Sequence, residues 1–305
     1  MKREEIGGVL LLSLTALIWG TAFVAQKSGL EYLGPFTFNG VRSIIGFLAL
    51  MPCIFLIDLI SGRRPSIWGD AKGREGRRAL IMGGVACGII LGIASSLQQI
   101  GIKYTSIGKA GFITTLYIII VPLLGVFFKR KVGWLLWFCS FLAVVGMYLL
   151  CFRGGGSLNP GDALVFLCSI VFSLHILTVD HFAPKADGVR LSCLQFLVAG
   201  IIALLCALFF EDIVWKALLN AKIPLLYAGL FSCGIAYTLQ IVGQKHVHPV
   251  VASLLMSLES VFAALSGWAI LHEKLCPTEI LGCIVIFMAV IIAQLPQGRE
   301  KNARD

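Results

Sequence analysis

The segment SLLMSLESVFAALSGWAIL, Ser253 to Leu271, holds nineteen residues and a single charge, Glu259. The apolar run that contains it begins at Pro249, so the carboxylate stands close to the middle of the run. A stretch of this length and polarity reads as a helix that crosses a bilayer, because about 20 mostly apolar residues span the hydrocarbon. A charge at that depth is costly and needs water, a partner or a proton. The fold and the reason for Glu259 are therefore one question.

Composition extends the reading to the whole chain. Of 305 residues, 58% are hydrophobic and 13% charged, with a mean hydropathy of +0.91. Soluble domains carry about twice that share of charge, and too little polar surface is present to cover a water-soluble domain of this length. Ten apolar segments are long enough to span: 7–26, 36–60, 79–102, 110–128, 133–152, 162–180, 191–210, 223–244, 249–271 and 277–295. They are continuous and do not alternate apolar with polar residues as barrel strands do. The expected class is an all-α integral membrane protein with ten transmembrane helices. The first segment has no small-x-small cleavage pattern and reads as a retained helix.

Basic residues orient the bundle. With the N-terminus inside, one side holds 17 Lys and Arg, the other 7, and Arg42 lies within a span. The connection SGRRPSIWGDAKGREGRR contributes Arg63, Arg64, Lys72, Arg74, Arg77 and Arg78, and Lys129, Arg130 and Lys131 follow the fourth span. The positive-inside rule places both termini in the cytoplasm of a multi-pass cell-membrane protein. These loops account for the net charge of +9, so no nucleic acid is expected as a partner. The expected partners are the lipid bilayer and a small-molecule substrate, with a homodimer left open. Nine of ten cysteines fall within spans and read as small packing residues.

The chain repeats itself. SLQQIGIKYTSIGKAGF from Ser96 aligns with TLQIVGQKHVHPVVASL from Thr238 at an offset of 142 residues, superposing Gln98 on Gln240, Gly101 on Gly243, Lys103 on Lys245 and Ala110 on Ala252. Five helices per half is an odd number, so the second half enters the membrane upside down, a pattern found in transporters. The expected domains are residues 1–152 and 153–305, two inverted five-helix repeats. In this register Glu259 falls on Tyr117.

The motifs ALIWGTAF, GPFTFNGVR, SIGKAGFITTLYIIIVPLLG, YAGLFSCGIAYTLQIVGQK and SLESVFAALSGWAILHEKL, in this order over the ten segments, resemble the drug/metabolite transporter superfamily, EamA type. The resemblance covers essentially the whole chain. It implies two inverted five-helix halves around a central cavity and a secondary carrier of small organic metabolites, often amino acids in this family, many of whose members export; the expected function is export of an amino-acid-like metabolite by alternating access. The chain departs from the family where the ninth helix commonly reads Glu-Pro-Val-Phe: here it is Glu259, Ser260, Val261, Phe262, without the proline that would kink it.

Several polar residues are candidates for the substrate pathway. Arg42 lies about 10 Å below the end of its helix at 1.5 Å per residue; it reads as an anchor for a substrate carboxylate or as a structurally paired or snorkelling cation. Glu259 reads as a ligand for a substrate ammonium, a proton carrier, or a hydrogen-bonded tie between helices. His175 is a candidate titrating group or a core histidine. Gln98, Gln99, Gln195 and Gln240 should face the protein interior, bonding helices or substrate. Trp19 and Tyr237 offer stacking surfaces, and Tyr117 is polar at mid-depth. Gly84, Gly88, Gly92 and Ser96 recur every four residues and make one face of the third helix nearly bare, for tight packing or sliding.

Other classes fit less well. The sequence holds no HExxH, GxSxG or P-loop, so an intramembrane enzyme is not expected. Lys245, His246 and His248 are too few for a metal site, and no cofactor is expected. Without a nucleotide-binding motif, an ATP-driven pump is not encoded in this chain. A fixed pore or scaffold has few features in its favour, and the alternative within transport is a hydrophobic drug or lipid-linked substrate. The topology is testable in a background with the native cysteines replaced. A cysteine at position 155 should react with an impermeant thiol reagent added outside cells, and one at position 72 should not; labelling of both from one side would reject the arrangement.

Overall fold

Proline, glycine and short polar side chains punctuate the apolar runs, and the helices begin where they stand. Pro35, Pro160, Pro249 and Pro277 each open a helix, at the position where a missing N–H costs nothing. Asn159 and Asp162 form a reciprocal capping box at 3.0 Å in both directions, and Asp187 caps the helix that begins at Gly188 by accepting from Arg190 N at 2.9 Å.

The computed structural model describes residues 3–62, 64, 66–69, 73–105, 107–129, 132–151, 159–271 and 276–293. Lys2, Arg63, Lys72, Arg130, Lys131, Arg153, Lys274, Arg299, Lys301 and Arg304 of the charge count, and Gly155 of the topology test, lie outside the described residues. Every described element is a helix: α1 (Arg3–Leu30), α2 (Pro35–Ile60), α3 (Gly73–Tyr104), α4 (Ile107–Thr114), α5 (Tyr117–Phe127), α6 (Trp134–Cys151), α7 (Pro160–Phe182), α8 (Gly188–Phe210), α9 (Trp215–Asn220), α10 (Lys222–Leu226), a π-helical segment Tyr227–Ala236, α11 (Tyr237–Gln244), α12 (Pro249–Met256), α13 (Leu258–Leu271) and α14 (Pro277–Ala293). Among the described residues, eight helical stretches are long and apolar enough to cross a membrane, and Trp134–Leu149 and Pro277–Ala293 are shorter apolar helices.

Two stretches break at mid-length. The helix holding Tyr117 is interrupted at Thr115–Leu116, between α4 and α5, and the helix holding Glu259 at Ser257, between α12 and α13. The second break occurs without the family's proline. Serines do the work instead: Ser253 Oγ donates to Val250 O (2.8 Å), Ser257 Oγ to Leu254 O (2.7 Å) and Ser260 Oγ to Ser257 O (2.8 Å). Hydroxyls that bond carbonyls of the preceding turn bend helices and satisfy groups the ladder releases. Thr115 Oγ1 does the same with Gly111 O and Phe112 O, both at 2.9 Å. A third irregularity is the π-helical segment, where the sequence led to an ordinary α-helix.

The helices meet along small residues. A Cβ built at Gly84 would lie 2.5 Å from Leu194 Cδ2, at Gly88 2.7 Å from the Gln195 carbonyl oxygen, and at Gly92 3.4 Å from Ala199 Cα, so the bare face of α3 receives α8. Ser96, on the same stripe, is buried. One apolar cluster joins α1, α5, α6, α7, α12, α13 and α14, with Leu254, Met256, Ile118 and Ile286 fully enclosed. A second joins α2, α3, α8 and the π-helical region around Phe196 and Tyr237. Trp19 and Phe172 touch both clusters and mark the seam between them.

Ends of helices are tied by charge. Glu211, at the end of α8, accepts from Phe36 N and Thr37 N at 2.8 Å each, capping α2 from another helix. At the other end of the same pair, Arg190 meets Asp58 at 2.6 Å with both side chains buried, and donates to Ser66 O at 2.8 Å. The sequence reading counted Arg190 as a loop charge; it is enclosed because Asp58 and the backbone of Ser66 neutralise and bond it.

The seam between α3 and α8 carries a measurable consequence. Gly88→Ala should destabilise the purified protein by about 1–3 kcal/mol, read as a lower melting temperature in detergent. Gly7→Ala, where nothing lies within 4 Å of the new Cβ, should leave the melting temperature in place.

Candidate functional site

The breaks in α4–α5 and α12–α13 lie side by side. Tyr117 opens α5 and Glu259 stands in the first turn of α13, and the Tyr117 hydroxyl donates to Glu259 Oε1 at 3.3 Å. The two residues are separated by 142 positions, the offset of the internal repeat. A carboxylate in the first turn of a helix faces the positive end of the peptide dipoles, which favours it there.

Around this pair lies a cavity of about 40 Å³, room for about three waters. Eight of the sequence candidates line it: Trp19, Arg42, Gln98, Tyr117, His175, Tyr237, Gln240 and Glu259. They come from α1, α2, α3, α5, α7, α11 and α13, so no single element makes the site. Phe23, Gln26, Thr114, Phe172, Ile176, Ser232 and Met256 complete the wall.

Two candidates are absent from that wall. Gln99 is fully buried but is turned from the cavity by one residue's rotation, about 100° from Gln98, and its amide has no hydrogen-bond partner among the described residues. Gln195 stands behind His175, accepting at Oε1 from His175 Nε2 at 3.0 Å, and so orients the ring.

Aromatic rings pack around Tyr237: Trp19 at 4.5 Å between centroids, Phe196 at 5.3 Å and His175 at 6.0 Å, the last two edge-on. The geometry follows the π-helical segment. Tyr237 N donates to Ser232 O across its final turn, and both residues line the cavity. Gln98 Nε2 donates to Thr114 Oγ1 at 3.2 Å, linking α3 to α4 just before the break.

The electrostatics are unusual for a membrane interior. Arg42 is 6% exposed; its guanidinium carbon lies 5.6 Å from the centre of the Phe38 ring, and no carboxylate pairs with it among the described residues. Glu259 is equally enclosed and bonds Tyr117. The guanidinium and the carboxyl group share one cavity without meeting. Four more polar atoms of the wall, Trp19 Nε1, Gln26 Oε1, His175 Nδ1 and Gln240 Oε1, are buried without a protein partner among the described residues. Buried polar groups are ordinarily bonded, so a cluster of unbonded ones around a cavity marks a place for polar groups from outside the chain.

Sequence reasoning missed Gln26, Thr114 and Ser232, because each sits near glycines or threonines with no distinguishing spacing. It also missed the Asp58–Arg190 pair, although Asp58 was visible as a carboxylate inside an apolar segment.

Known proteins share this architecture. The EamA-like transporter family matches residues 6–152 and again 159–294. An uncharacterized transporter of Archaeoglobus fulgidus is 32% identical over 292 residues, covering 93% of this chain and 84% of its own length. The uncharacterized transporter YoaV of Bacillus subtilis is 25% identical, covering 95% and 97%, and a chloroplastic WAT1-related protein of Arabidopsis thaliana is 22% identical, covering 92% and 68%. A solved crystal structure superposes with a TM-score of 0.76 at 17% identity, over 94% of this chain and 96% of that one, which is a likeness of fold. The matches span the chain, and the protein belongs to the EamA-like transporter family.

Proposed function

We propose that the chain is a ten-span secondary transporter of amino-acid-like metabolites, built from two inverted repeats and exporting its substrate across the cell membrane with both termini in the cytoplasm. One observation carries the substrate class: Arg42 and Glu259 line the same cavity, buried, with no ion pair between them. A zwitterion would satisfy both. Its carboxylate would take the planar guanidinium fork, and its ammonium would lie at Glu259, where the 3.3 Å bond from Tyr117 is long enough to yield. An uncharged drug would leave both groups unmatched, and a lipid-linked substrate, anionic at its phosphates, would leave Glu259 without a cation.

The ten-span count adds α6 and α14 to the eight longer stretches. At 18 and 17 residues they cover about 26–27 Å, near the roughly 30 Å of hydrocarbon. The repeat arrangement is supported by contacts that recur when the halves are exchanged. α3 packs on α7 as the π-helical segment and α11 pack on α1; α4 and α5 pack on α7 as α13 packs on α1; α2 pairs with α8 and α6 with α14. Gly101 faces Gly161 and Val165 as Gly243 faces Gly8 and Leu12. The two matches of the family on either side of residues 153–158 agree with this division.

A cavity that holds about three waters must widen to admit an amino acid. The breaks at Thr115–Leu116 and Ser257 stand at the level of the site and give each half a hinge there. Bending at one break opens the cavity toward one face while the other stays closed, which is the movement alternating access requires.

The test is transport and binding by proteoliposomes with radiolabelled amino acids, their amides and their deaminated analogues. Arg42→Lys keeps the charge and loses the fork, and it should weaken uptake of the amino acid by about tenfold to a hundredfold, the value of a charged hydrogen bond. It should leave the amide nearly unaffected. Glu259→Gln should have the converse selectivity, weakening amine-bearing substrates and sparing deaminated ones. Equal handling of amino acid, amide and deaminated analogue by the parent protein would reject the zwitterion reading.

A further inference from the structure

A second cavity, of about 270 Å³, lies away from the central one, between α2, α3 and α8. Met51, Phe55, Trp68, Ile81, Leu194 and Leu197 form much of its wall. It sits within the apolar stretches Pro35–Ile60, Arg74–Tyr104 and Gly188–Phe210, at membrane depth. Its outer rim is open to the bilayer side: Phe55 is 38% and Ile81 44% exposed. A crevice of this kind is filled by hydrocarbon chains, and the question is whether anything selects the molecule that carries them.

The first turns of α3 answer it. Arg74, Arg77 and Arg78 are exposed there, with Glu75 among them. Arg77 precedes Leu80 and Ile81, both in the cavity wall, by three and four residues, so it stands on the same helical face about one turn, roughly 5 Å, nearer the helix end. Its guanidinium carbon lies 5.2 Å from the centre of the Trp68 ring, and Trp68 is itself part of the wall. Cation, aromatic ring and apolar slot thus follow one another in the order of a phospholipid's headgroup, interface and chain. Arg190 also borders the cavity, but its guanidinium is held by Asp58 and Ser66 O, which leaves headgroup selection to α3.

We propose that this cavity is a binding site for one anionic phospholipid, with an acyl chain between α2, α3 and α8 and its phosphate at Arg77 and Arg78. The site is separate from the central cavity and does not depend on which substrate is carried. The bound chain lies against Leu194, the residue that packs on Gly84, and so wedges the end of the α3–α8 seam.

The whole 305-residue chain, purified in a neutral detergent, is titrated with phosphatidylglycerol and with phosphatidylcholine of the same chains. Native mass spectrometry counts retained lipid, and melting temperature reports its effect. The parent should retain phosphatidylglycerol at least fivefold better and gain stability from it. The double variant Arg77→Ala, Arg78→Ala, altered on exposed side chains, should lose that preference. Leu197→Trp, which fills the slot, should lower retention of both lipids. Phosphatidylglycerol brominated on its chain should quench tryptophan fluorescence in the parent more than in Trp68→Phe, a readout that survives if Leu197→Trp does not fold. Equal retention of the two lipids by the parent, an unchanged preference in the arginine variant, or equal quenching with and without Trp68 would each overturn the proposal.

Discussion

Inside a bilayer no bulk water stands ready to satisfy a carboxyl group, so Glu259 depends on the protein and on the small cavity that the protein encloses, and the arrangement of the central helices follows from how they meet it. The partner is the Tyr117 hydroxyl. Both residues begin a helical segment just after a break, and both breaks release backbone groups that serine or threonine hydroxyls take up. The place where regular backbone fails is therefore the place where polar side chains gather. Arg42, Gln98 and Gln240 are drawn to the same point, since the cavity is where a polar group can lie without facing lipid.

Close approach of helices places these groups. Apolar surface gives little drive for association when the surroundings are equally apolar, so contact rests on shape and on small residues. A Cβ at Gly20 would lie 2.7 Å from the Glu259 carbonyl oxygen, and this bare position sets α1 against α13 and brings the neighbouring Trp19 to the cavity. On the other side, a Cβ at Gly229 would lie 3.0 Å from the Arg42 carbonyl oxygen, so α2 and the π-helical segment meet where Arg42 and Ser232 enter the wall. The wider π-helical turn then carries Tyr237 to the same wall. Such segments are common at functional sites because they re-aim side chains that a regular helix would send elsewhere.

Three kinds of environment for charged side chains stand out among the described residues. Exposed arginines stand in the first turns of α3. Asp58 and Arg190 neutralise each other in an enclosed pair, and Glu211 is taken up by the N-terminus of α2; together these tie α2 to α8 at both ends. Removing one member of such a pair leaves the other buried and unmatched, which is why these contacts hold geometry firmly. Arg42 and Glu259 are the third kind: a cation and an acid, both enclosed, sharing one cavity and not joined to each other.

Membrane class, helical architecture and kinship were legible in the sequence because they depend on local quantities: the length of an apolar run, the share of charge, the order of short motifs. The depth of Arg42 and Glu259 could be counted from helix ends in the same way, and the 142-residue offset set Glu259 opposite Tyr117 in register. Contact between them is a different matter, since equivalence in a repeat does not bring two residues within 3.3 Å. Gln98 and Gln99 show the limit most simply. Both are polar, adjacent and at the same depth, and only the rotation of α3 against its neighbours decides that the first lines the cavity and the second does not. The pairing of Asp58 with Arg190, 132 residues apart, and the π-helical turn before Tyr237 likewise belong to the tertiary structure. Each arises from how one helix's surface fits another's, a relation that hydropathy and spacing along a single segment do not contain.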